Sequence, residues 1–472
     1  MQINKKLVLK VLLVFLSVFL LLFASRSIAW IYHFFKRVNL DEIAIVLSNG
    51  AGGTDTDILW HFIRKTVIYP MLWASGITAV WYKFRSKKFV TFGIYLLLFA
   101  YLVFKLCVSD VQLGSFAGGK TSNFYETEYV APENAKISWG EKRNVLFIAL
   151  ESIEKVYGTK SIGGEVLTPE ITALERRYKS FENYHSLSGL SHTIAAITGF
   201  TTGLPLFYTS FQGFEKMIGV NQGMGTIFAN NGYQTWSIFP ASGKFSLKEN
   251  FMRRMGFENV LDGEKIYADL KNPPKQKPFN GVDDGVLFDY AKPIITDIIK
   301  SKKPYFIFME TINTHLKGYY TDYCRNIGFR QETMEDITKC DDKIIGDFVK
   351  WFRQADPTAV VILINDHKQH SGPLMSQLEK IENRPLANVF MNTTVLNGVD
   401  FNRPVSAMDF FPTVVEAAGA KIQGCKLGLG VSLTKRCENV KTLRERYGDA
   451  ELQRLMEQRN DLYYYLATGQ KK

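Results

Sequence analysis

Four residues of the sequence are of the types that bind a divalent cation and carry out phosphoryl transfer: Glu151, Thr193, Asp366 and His367. Glu151 directly follows the apolar run Asn144–Leu150, and Asp366 with His367 follows the apolar run Val360–Asn365. Two carboxylates and one imidazole are suitable ligands for a divalent cation, and such a cation activates a hydroxyl group. The residues therefore predict a one-metal site in which Thr193 supplies the hydroxyl.

Thr193 opens the stretch Thr193–Gly199, whose apolar residues recur with helical spacing. Backbone N–H groups are unpaired at a helix N-terminus, which therefore favours anions. A threonine placed there can attack a phosphodiester and form a covalent phospho-threonine, with its charge offset by the helix dipole and a cation. The alternative is that Thr193 only caps the helix, which is a common role of threonine.

Other candidate residues also follow apolar runs. His315 comes after Tyr305–Met309 and can protonate a leaving alkoxide or hold a phosphate oxygen, unless it is a structural histidine bonded to a backbone carbonyl. Lys244 and Lys248 follow Gln234–Phe239 and can bind phosphate as point charges. The alternative for both lysines is a solvated loop.

The elements that must position these residues alternate between strand and helix patterns. The continuous apolar runs, typical of strands buried on both faces, are Asn144–Leu150, Gln234–Phe239, Tyr305–Met309 and Ala359–Ile364. The helical patterns between them are Ile171–Tyr178, Gly223–Asn230, Val286–Lys300 and Asp341–Phe352. This alternation predicts an α/β fold with a mostly parallel sheet, and ligands of such sheets bind beyond the carboxyl ends of the strands.

Two apolar runs near the N-terminus, Leu7–Ala24 and Val90–Val108, are long enough to cross a hydrocarbon core at about 1.5 Å per residue. A third run, Thr66–Trp81, is shorter and contains Pro70 and Gly76. We therefore predict about three membrane helices. A cleaved signal peptide is the alternative for the first run.

Basic residues flank these runs on one side, as cytoplasmic loops do. They are Lys5, Lys6, Lys83, Arg85, Lys87 and Lys88. The pattern predicts a multi-pass protein of the bacterial inner membrane, with everything after about Ser109 facing the periplasm or the outside. The net charge of +11 is better suited to an anionic membrane surface than to nucleic acid, because no basic run with interleaved aromatics lies outside the juxtamembrane loops.

Four of the five cysteines form two local pairs, Cys324 with Cys340 and Cys425 with Cys437, while Cys107 lies in a predicted span. Disulfides in an oxidising compartment are the favoured interpretation, and free core thiols are the alternative. The predicted organisation is a transmembrane anchor at 1–108, a linker at 109–142, a catalytic domain at 143–440 and a C-terminal helical tail at 441–472.

The motifs resemble the membrane-anchored phosphoglycerol transferases of the alkaline phosphatase and sulfatase superfamily, which include the lipoteichoic acid synthases. The subgroup that modifies osmoregulated periplasmic glucans is the most similar. The segments that carry the resemblance are Asp41–Asp55, Asn144–Gly158, Leu167–Leu174, Gly189–Ile197, Gly203–Leu206, Asn280–Phe288, Asn313–His315 and Ile364–His367.

The resemblance implies an alkaline phosphatase-like domain in which Glu151, Thr193, Asp366 and His367 bind one manganese or zinc ion, with Thr193 as the nucleophile. It also implies that His315 and the loop from Lys244 to Lys248 face the substrate. Two features depart from the superfamily. Ser246 and Lys248 stand where the lipoteichoic acid synthases have tryptophan and arginine, and the C/S-x-P-x-R pattern of sulfatases is absent around Thr193, which disfavours sulfate ester hydrolysis.

The resulting expectation is transfer of phosphoglycerol from the membrane lipid phosphatidylglycerol to an envelope glycan. The alternatives are a phosphoethanolamine transferase and an inactive sensor or assembly protein of the same fold. Glycerol is favoured over ethanolamine because Lys244 and Lys248 would repel an ammonium group. Asp283 and Asp284 are predicted to accept hydrogen bonds from glycerol or sugar hydroxyls.

Overall fold

The computed structural model describes residues 5–35, 38–39, 56–109, 111–112, 121–207, 220, 222–370 and 372–469. The chain divides into a smaller N-terminal unit and a larger unit, with the main boundary near residue 114. The segment Asp41–Asp55, which contributes to the family resemblance, lies outside the described residues.

The N-terminal unit is a small helical bundle. Its elements are α1 (Lys5–Phe35), β1 (Val38–Asn39), α2 (Thr56–Ile63), a π-helix (Arg64–Ile68), α3 (Tyr69–Phe84), α4 (Lys88–Val108) and β2 (Val111–Gln112). α1 contacts both α3 and α4, and β1 pairs with β2 in parallel. Large apolar side chains such as Leu16, Trp73 and Leu97 are exposed on this bundle. A surface of that kind is suited to lipid, because a water-exposed surface rarely carries so many apolar groups.

Two of the three predicted spans form helices that are long and apolar enough to cross a membrane, Lys5–His33 and Lys88–Val108. The middle run, Thr66–Trp81, does not form one of these helices. It begins inside the π-helix and continues as α3, which has only 16 residues and has Pro70 in its first turn. Among the described residues, the structure thus supports two candidate spans and a shorter helix between them.

The larger unit contains ten short or medium strands and thirteen α-helices in its described part, besides short 3₁₀ turns. The strands are β3 (Ile137–Trp139), β4 (Val145–Leu150), β5 (Gln234–Ile238), β6 (Asn259–Leu261), β7 (Tyr305–Glu310), β8 (Val360–Asn365), β9 (Asn388–Met391), β10 (Ala420–Ile422), β11 (Lys426–Leu427) and β12 (Gly430–Val431). The helices are α5 (Phe124–Glu128), α6 (Pro169–Arg177), α7 (Thr193–Thr202), α8 (Met224–Ala229), α9 (Lys248–Arg254), α10 (Gly263–Asp269), α11 (Asp284–Lys300), α12 (Asp322–Asn326), α13 (Met334–Ala355), α14 (Met375–Leu378), α15 (Ala407–Ala417), α16 (Leu443–Met456) and α17 (Asp461–Thr468).

Six strands form the central sheet in the order β6-β5-β7-β4-β8-β9. All neighbours are parallel except β8 and β9. β4, β7 and β8 are buried along their whole length, as expected for apolar strands covered on both faces. The predicted α/β class with a mostly parallel sheet is confirmed, and the four predicted strands agree with β4, β5, β7 and β8 to within one residue at each end.

Helices cover both faces of the sheet and form two apolar cores. One core joins α7 and α15 to side chains such as Phe147 and Phe308, whose rings stack with centroids 5.0 Å apart. The other core joins α11 and α13 to residues of the opposite face, including Ile148 and Met309. The alternation of side chains along each strand divides them between the two cores. The sheet is therefore a fixed platform for any residue at its edge.

The predicted tail and the described part of the predicted linker from residue 121 belong to the larger unit, whereas β2, at the start of the predicted linker, belongs to the N-terminal unit. Within the predicted linker, β3 pairs with β10 in an antiparallel arrangement. Within the predicted tail, the Tyr463 hydroxyl accepts a hydrogen bond from the Phe207 N–H at 2.6 Å and donates to the Pro205 carbonyl at 3.1 Å. The tail consists of α16 and α17, each of which begins at a side-chain cap, Thr442 and Asn460 respectively.

The structure contains both predicted disulfides. Cys324 is bonded to Cys340, with Cα atoms 5.7 Å apart. Cys425 is bonded to Cys437, with Cα atoms 5.8 Å apart. Cys107 has a free thiol. The alternative of free core thiols therefore does not hold for the four cysteines of the larger unit.

Candidate active site

Three neighbouring strands of the sheet carry the candidate residues at one edge. Glu151 follows β4, Asp366 and His367 follow β8, and the segment Thr311–His315 follows β7. The Glu151 N–H donates to Thr311 Oγ1 at 2.9 Å, and the Thr314 hydroxyl donates to the Glu151 carbonyl at 2.5 Å. These hydrogen bonds join the ends of β4 and β7. The common edge expected from the sequence is thus present.

Glu151, Asp366 and His367 form a compact buried cluster. Each offers one ligand atom, and these atoms lie within 4.8 Å of one another. His367 Nε2 is 3.6 Å from Glu151 Oε1 and 3.4 Å from Asp366 Oδ2. Two carboxylates and an imidazole in this arrangement match the donor set of a divalent cation.

The backbone around the cluster leaves one carboxylate oxygen available for a cation. Asp366 Oδ1 accepts hydrogen bonds from the Ser152 N–H at 3.0 Å and from the His367 N–H at 2.6 Å. Ser152 has a φ of 53°, in the left-handed region, which is costly for a residue other than glycine. Asp366 Oδ2 is buried and accepts no hydrogen bond from the described residues. A buried carboxylate oxygen without a donor fits a metal ligand, because its desolvation is otherwise uncompensated.

The imidazole of His367 is oriented by its second nitrogen. Nδ1 donates to the Lys368 carbonyl at 2.9 Å, since a carbonyl oxygen can only accept. Nε2 therefore faces Glu151 and Asp366. Asn365 fixes the same loop, because its amide donates to the His367 carbonyl at 2.9 Å. Metal-binding histidines are commonly held in this way.

The electrostatics of the cluster also favour a cation. Burial and the neighbouring Glu151 charge raise the pKa of Asp366 to about 7. Burial alone would raise the pKa of Glu151 as well. The charges of His315 and His367 outweigh that effect, so the pKa of Glu151 lies below its ordinary value. Two buried carboxylates this close repel each other when both are ionised, and a bound cation removes that repulsion.

Thr193 is the first residue of α7 and its hydroxyl points into the cluster. Oγ1 donates to Glu151 Oε2 at 3.1 Å and lies 3.3 Å from His367 Nε2. The residue that caps the helix is His192, without a side-chain cap hydrogen bond, so Thr193 does not serve as the cap. The Thr193 side chain is partly exposed, whereas the rest of α7 is buried. Its hydroxyl is therefore placed for chemistry.

The tight loop that precedes Thr193 and contains Gly189 positions the Thr193 side chain. Gly189 has a φ of 74°, and a Cβ at this residue would lie 2.7 Å from the Phe207 ring and 2.9 Å from Pro205. Glycine is required here because a side chain has neither the backbone freedom nor the space. Behind Thr193, Phe200 packs on Phe147 with ring centroids 5.4 Å apart. The helix α7, which begins at Thr193, is thus fixed against β4, the strand that precedes Glu151.

His315 lies beside the cluster. Its backbone N–H donates to the Ile312 carbonyl at 2.9 Å, and its ring meets Phe279 edge-on, with centroids 4.6 Å apart. Its charge contributes to the lowered pKa of Glu151. The His315 imidazole is therefore close enough to interact electrostatically with Glu151, which accepts the hydrogen bond from the Thr193 hydroxyl.

The two candidate lysines have different environments. The Lys248 side chain is 3% exposed, forms an ion pair with Glu310 and lies over the Phe239 ring at 5.1 Å. The Lys244 side chain is 70% exposed and pairs with Glu264 at 2.9 Å. Lys248 is thus held at the end of β7, while Lys244 has the solvated position weighed as its alternative.

Asp283 and Asp284 correct the sequence interpretation. Asp283 caps α11 by accepting from the Val286 N–H at 3.1 Å. Asp284 is fully buried and accepts from the N–H groups of Ile312 and Asn313 at 2.7 to 2.9 Å. Backbone groups thus occupy the oxygens that were predicted to meet substrate hydroxyls. Both residues instead hold the start of α11 and the loop that carries His315.

Asp284 also shares its buried position with Asp341 of α13. Burial raises the pKa of Asp284 to about 7, although hydrogen bonds from Asp341, Asn313 and Ile312 oppose the rise. Burial and the neighbouring Asp284 raise the pKa of Asp341 well above its ordinary range. Both groups therefore bind a proton more tightly in the folded protein than in the unfolded chain. Stability from Asp284 is present at low pH and is lost as the pH rises from about 4 to about 7, and the raised pKa of Asp341 acts in the same direction.

The variant Asp341→Asn is expected to weaken this pH dependence, because an amide cannot ionise and still donates to Asp284. The drop in unfolding free energy between pH 5 and pH 7 should shrink by on the order of 1 to 3 kcal/mol. Urea unfolding of the detergent-solubilised protein at the two pH values measures it. Asp297→Asn on the exposed face of α11 is the control. An unchanged pH slope in Asp341→Asn would contradict the shared proton.

The sequence interpretation missed His370, three residues after His367. Its Nε2 donates to the Ser191 carbonyl at 2.5 Å, and its ring stacks on that of His367 with centroids 5.1 Å apart. His370 therefore joins the loop after β8 to the loop before Thr193. The signal in the sequence is the close spacing of the two histidines within Asp366–His370.

A family model described as Sulfatase matches residues 143–420, more than half of the 472-residue chain. The chain belongs to the sulfatase family. The match begins just before β4 and ends at the start of β10, so it includes the whole central sheet and all four residues of the candidate metal and nucleophile site.

Two curated relatives carry the name phosphoglycerol transferase I. The protein from Escherichia fergusonii is 25% identical over 264 residues, which cover 52% of this chain and 34% of that protein. The protein from Salmonella choleraesuis has the same identity and coverage. The chain thus spans about a third of the length of these relatives.

A solved structure of an alkaline phosphatase superfamily protein from Vibrio parahaemolyticus resembles this chain with a TM-score of 0.51 and 18% identity. The likeness covers 64% of this chain and 77% of that protein. The larger unit therefore has an alkaline phosphatase-like fold, as the sequence motifs implied.

Proposed function

We propose that the protein transfers a phosphoglycerol group from phosphatidylglycerol to an envelope glycan through a phospho-threonine at Thr193. The observation that carries the proposal is the Thr193 hydroxyl at the N-terminus of α7, 3.1 Å from Glu151 and 3.3 Å from His367. The two relatives named phosphoglycerol transferase I support the choice of group.

Glu151, Asp366 and His367, with Thr193 beside them, would hold one divalent ion, either manganese or zinc. The unpaired Asp366 Oδ2 and the oriented His367 Nε2 support this assignment. Bound there, the ion supplies Lewis-acid stabilisation of negative charge. The donor set does not choose between the two metals, because carboxylate and imidazole ligands suit both.

The residues divide the reaction between them. The Thr193 oxygen attacks phosphorus while its proton passes to Glu151 Oε2, its hydrogen-bond acceptor. The bond between phosphorus and the diacylglycerol oxygen breaks, and His315 gives that oxygen a proton. The glycerol phosphate then stays on Thr193 until a glycan hydroxyl attacks the same phosphorus and gives its proton to His315. The Thr193 oxygen leaves and takes back its proton from Glu151, which restores the starting state. The start of α7 favours the anionic group throughout.

A membrane anchor suits a lipid donor. The two apolar helices, Lys5–His33 and Lys88–Val108, would keep the larger unit at the surface from which phosphatidylglycerol is drawn. The basic residues that flank them support a periplasmic or external position of this unit in the bacterial inner membrane. The two disulfides support the same compartment, because disulfides persist where the environment is oxidising.

Transfer of phosphoethanolamine is the second candidate, because the same four residues would serve it. The grouping of Glu151, Asp366 and His367 around the Thr193 hydroxyl supports an active enzyme over an inactive protein of this fold.

Vesicles containing either phosphatidylglycerol or phosphatidylethanolamine, incubated with the full-length protein and manganese or zinc, test the proposal. We expect release of diacylglycerol from phosphatidylglycerol, and an adduct on Thr193 with the mass of glycerol phosphate. An adduct with the mass of phosphoethanolamine would select the second candidate. The absence of any adduct and of any diacylglycerol with both lipids would refute both.

A further inference from the structure

A second charged pair lies next to the metal-ligand cluster. Glu310 is the last residue of β7 and pairs in register with Ala149 of β4, two residues before Glu151. Partners in adjacent strands point to the same face of a sheet. Glu310 therefore lies on the face of β4 that packs against α7, the helix of Thr193.

The Glu310 and Lys248 side chains are both buried, with exposures of 2% and 3%. The Lys248 ammonium donates to Glu310 Oε2 and lies over the Phe239 ring. Burial raises the pKa of Glu310, Lys248 opposes that rise, and the charge of Glu151 adds to it. The pair is thus in electrostatic contact with the cluster that surrounds the nucleophile.

The hydrogen-bonding capacity of this pair is only partly used. Glu310 Oε1 is buried and has no hydrogen-bond partner among the described residues. In the described part of the chain, the one hydrogen bond recorded for the Lys248 ammonium is to Glu310, although an ammonium has three donors. A buried carboxylate oxygen without a donor costs free energy. Elsewhere in the unit, Arg384 engages both oxygens of the buried Glu154.

We propose that Glu310 selects the head group of the donor. Its Oε1 accepts a hydrogen bond from a hydroxyl of the transferred glycerol, and Lys248 donates to the adjoining phosphate. This inference rests on the proposed function and assigns its specificity to one residue.

The charge of the pair decides between a hydroxyl and an ammonium group. Glu310 and Lys248 together are neutral, so a neutral polyol hydroxyl completes their hydrogen bonds without adding charge. An ethanolamine ammonium would be repelled by Lys248 in a desolvated site, where like charges interact strongly. The pair therefore favours glycerol phosphate over phosphoethanolamine.

The variant Lys248→Met/Glu310→Met tests this inference while keeping the volume of the pair. Replacing both partners of a buried ion pair by apolar residues is often neutral for stability, whereas removing one partner leaves a buried unpaired charge. We expect the double variant to fold and to raise the KM for phosphatidylglycerol vesicles about 10- to 100-fold. The stabilisation of the full-length protein against heat by glycerol phosphate should be lost in the same variant.

The variant Glu310→Gln tests the carboxylate separately. The amide oxygen still accepts from a hydroxyl, but it no longer neutralises Lys248. Because Lys248 then repels an ammonium more strongly, the preference of this variant for phosphatidylglycerol over phosphatidylethanolamine should rise. Its metal content should equal that of the parent. The matched control is Glu128→Met/Arg446→Met, which removes an ion pair of the buried Glu128 in another part of the unit. The control should keep the KM and the lipid preference of the parent.

The inference would be overturned if the folded, metal-containing double variant kept the parent KM, lipid preference and thermal response to glycerol phosphate. Failure of the proposed function has a different signature. In that case the parent itself would release no diacylglycerol from phosphatidylglycerol and would not be stabilised by glycerol phosphate more than by phosphoethanolamine.

Discussion

The variant Thr193→Ala is expected to lose transfer activity by a factor on the order of 10⁴ or more, because it removes the hydroxyl that we propose as the nucleophile. The Thr193 hydroxyl is the group nearest to both Glu151 Oε2 and His367 Nε2 in the nucleophile loop. Without it, no covalent adduct should form with either lipid. Diacylglycerol release from phosphatidylglycerol vesicles and intact-protein mass measure the two effects.

The fold should survive this change. Thr193 is partly exposed and does not cap α7, so its loss creates neither a core cavity nor an uncapped helix. Thr198 offers a matched control in the same helix, since its hydroxyl donates only to the Ile194 carbonyl at 2.7 Å. Thr198→Ala should retain activity within a few-fold. Activity of Thr193→Ala within a few-fold of the parent would remove Thr193 from the mechanism.

The parts of the fold that the sequence predicts are those whose signal is local. β4, β7 and β8 are unbroken apolar runs because both faces of the sheet are covered. In parallel strands the carboxyl ends share one edge, so the position of Glu151 and Asp366 after such runs is enough to bring them together. The signal for Thr193 is also local, because the residue opens a stretch whose apolar residues recur with helical spacing.

The parts that the sequence does not predict depend on partners distant in the chain. Glu310 directly follows an apolar run, and its position in the sequence does not indicate a role. Its partner is Lys248, 62 residues earlier in the chain. In the sequence Asp284 has the features of a substrate-binding residue. In the structure its carboxylate oxygens accept hydrogen bonds from the N–H groups of Ile312 and Asn313. β3 lies in the segment that was predicted to be a linker. Its three residues pair with β10, which is distant in the sequence, so no local pattern indicates a strand there. No periodicity within a short window carries this information.

The variants Glu151→Gln and Asp366→Asn are expected to lose metal, with affinity falling at least about 100-fold in each. In Asp366→Asn the remaining amide oxygen still accepts from the Ser152 and His367 N–H groups, so the loop geometry is kept and only the charge is removed. Glu151→Gln likewise keeps an oxygen for the Ser152 hydroxyl, which donates at 2.7 Å in the parent. Elemental analysis of the purified full-length variants measures occupancy.

Asp342→Asn is the matched control for this experiment. Asp342 is also a buried carboxylate that accepts two backbone N–H groups, those of Glu170 and Ile171, at 2.8 and 2.9 Å. Asp342 belongs to α13 and holds the start of α6, outside the cluster, so its variant should keep the metal of the parent. Loss of metal in all three variants would indicate a general effect of removing buried charge. Full occupancy in both Glu151→Gln and Asp366→Asn would show that the unpaired Asp366 Oδ2 is not a ligand. The pKa of Asp366, raised by burial and by Glu151, would then reflect a shared proton in place of a cation.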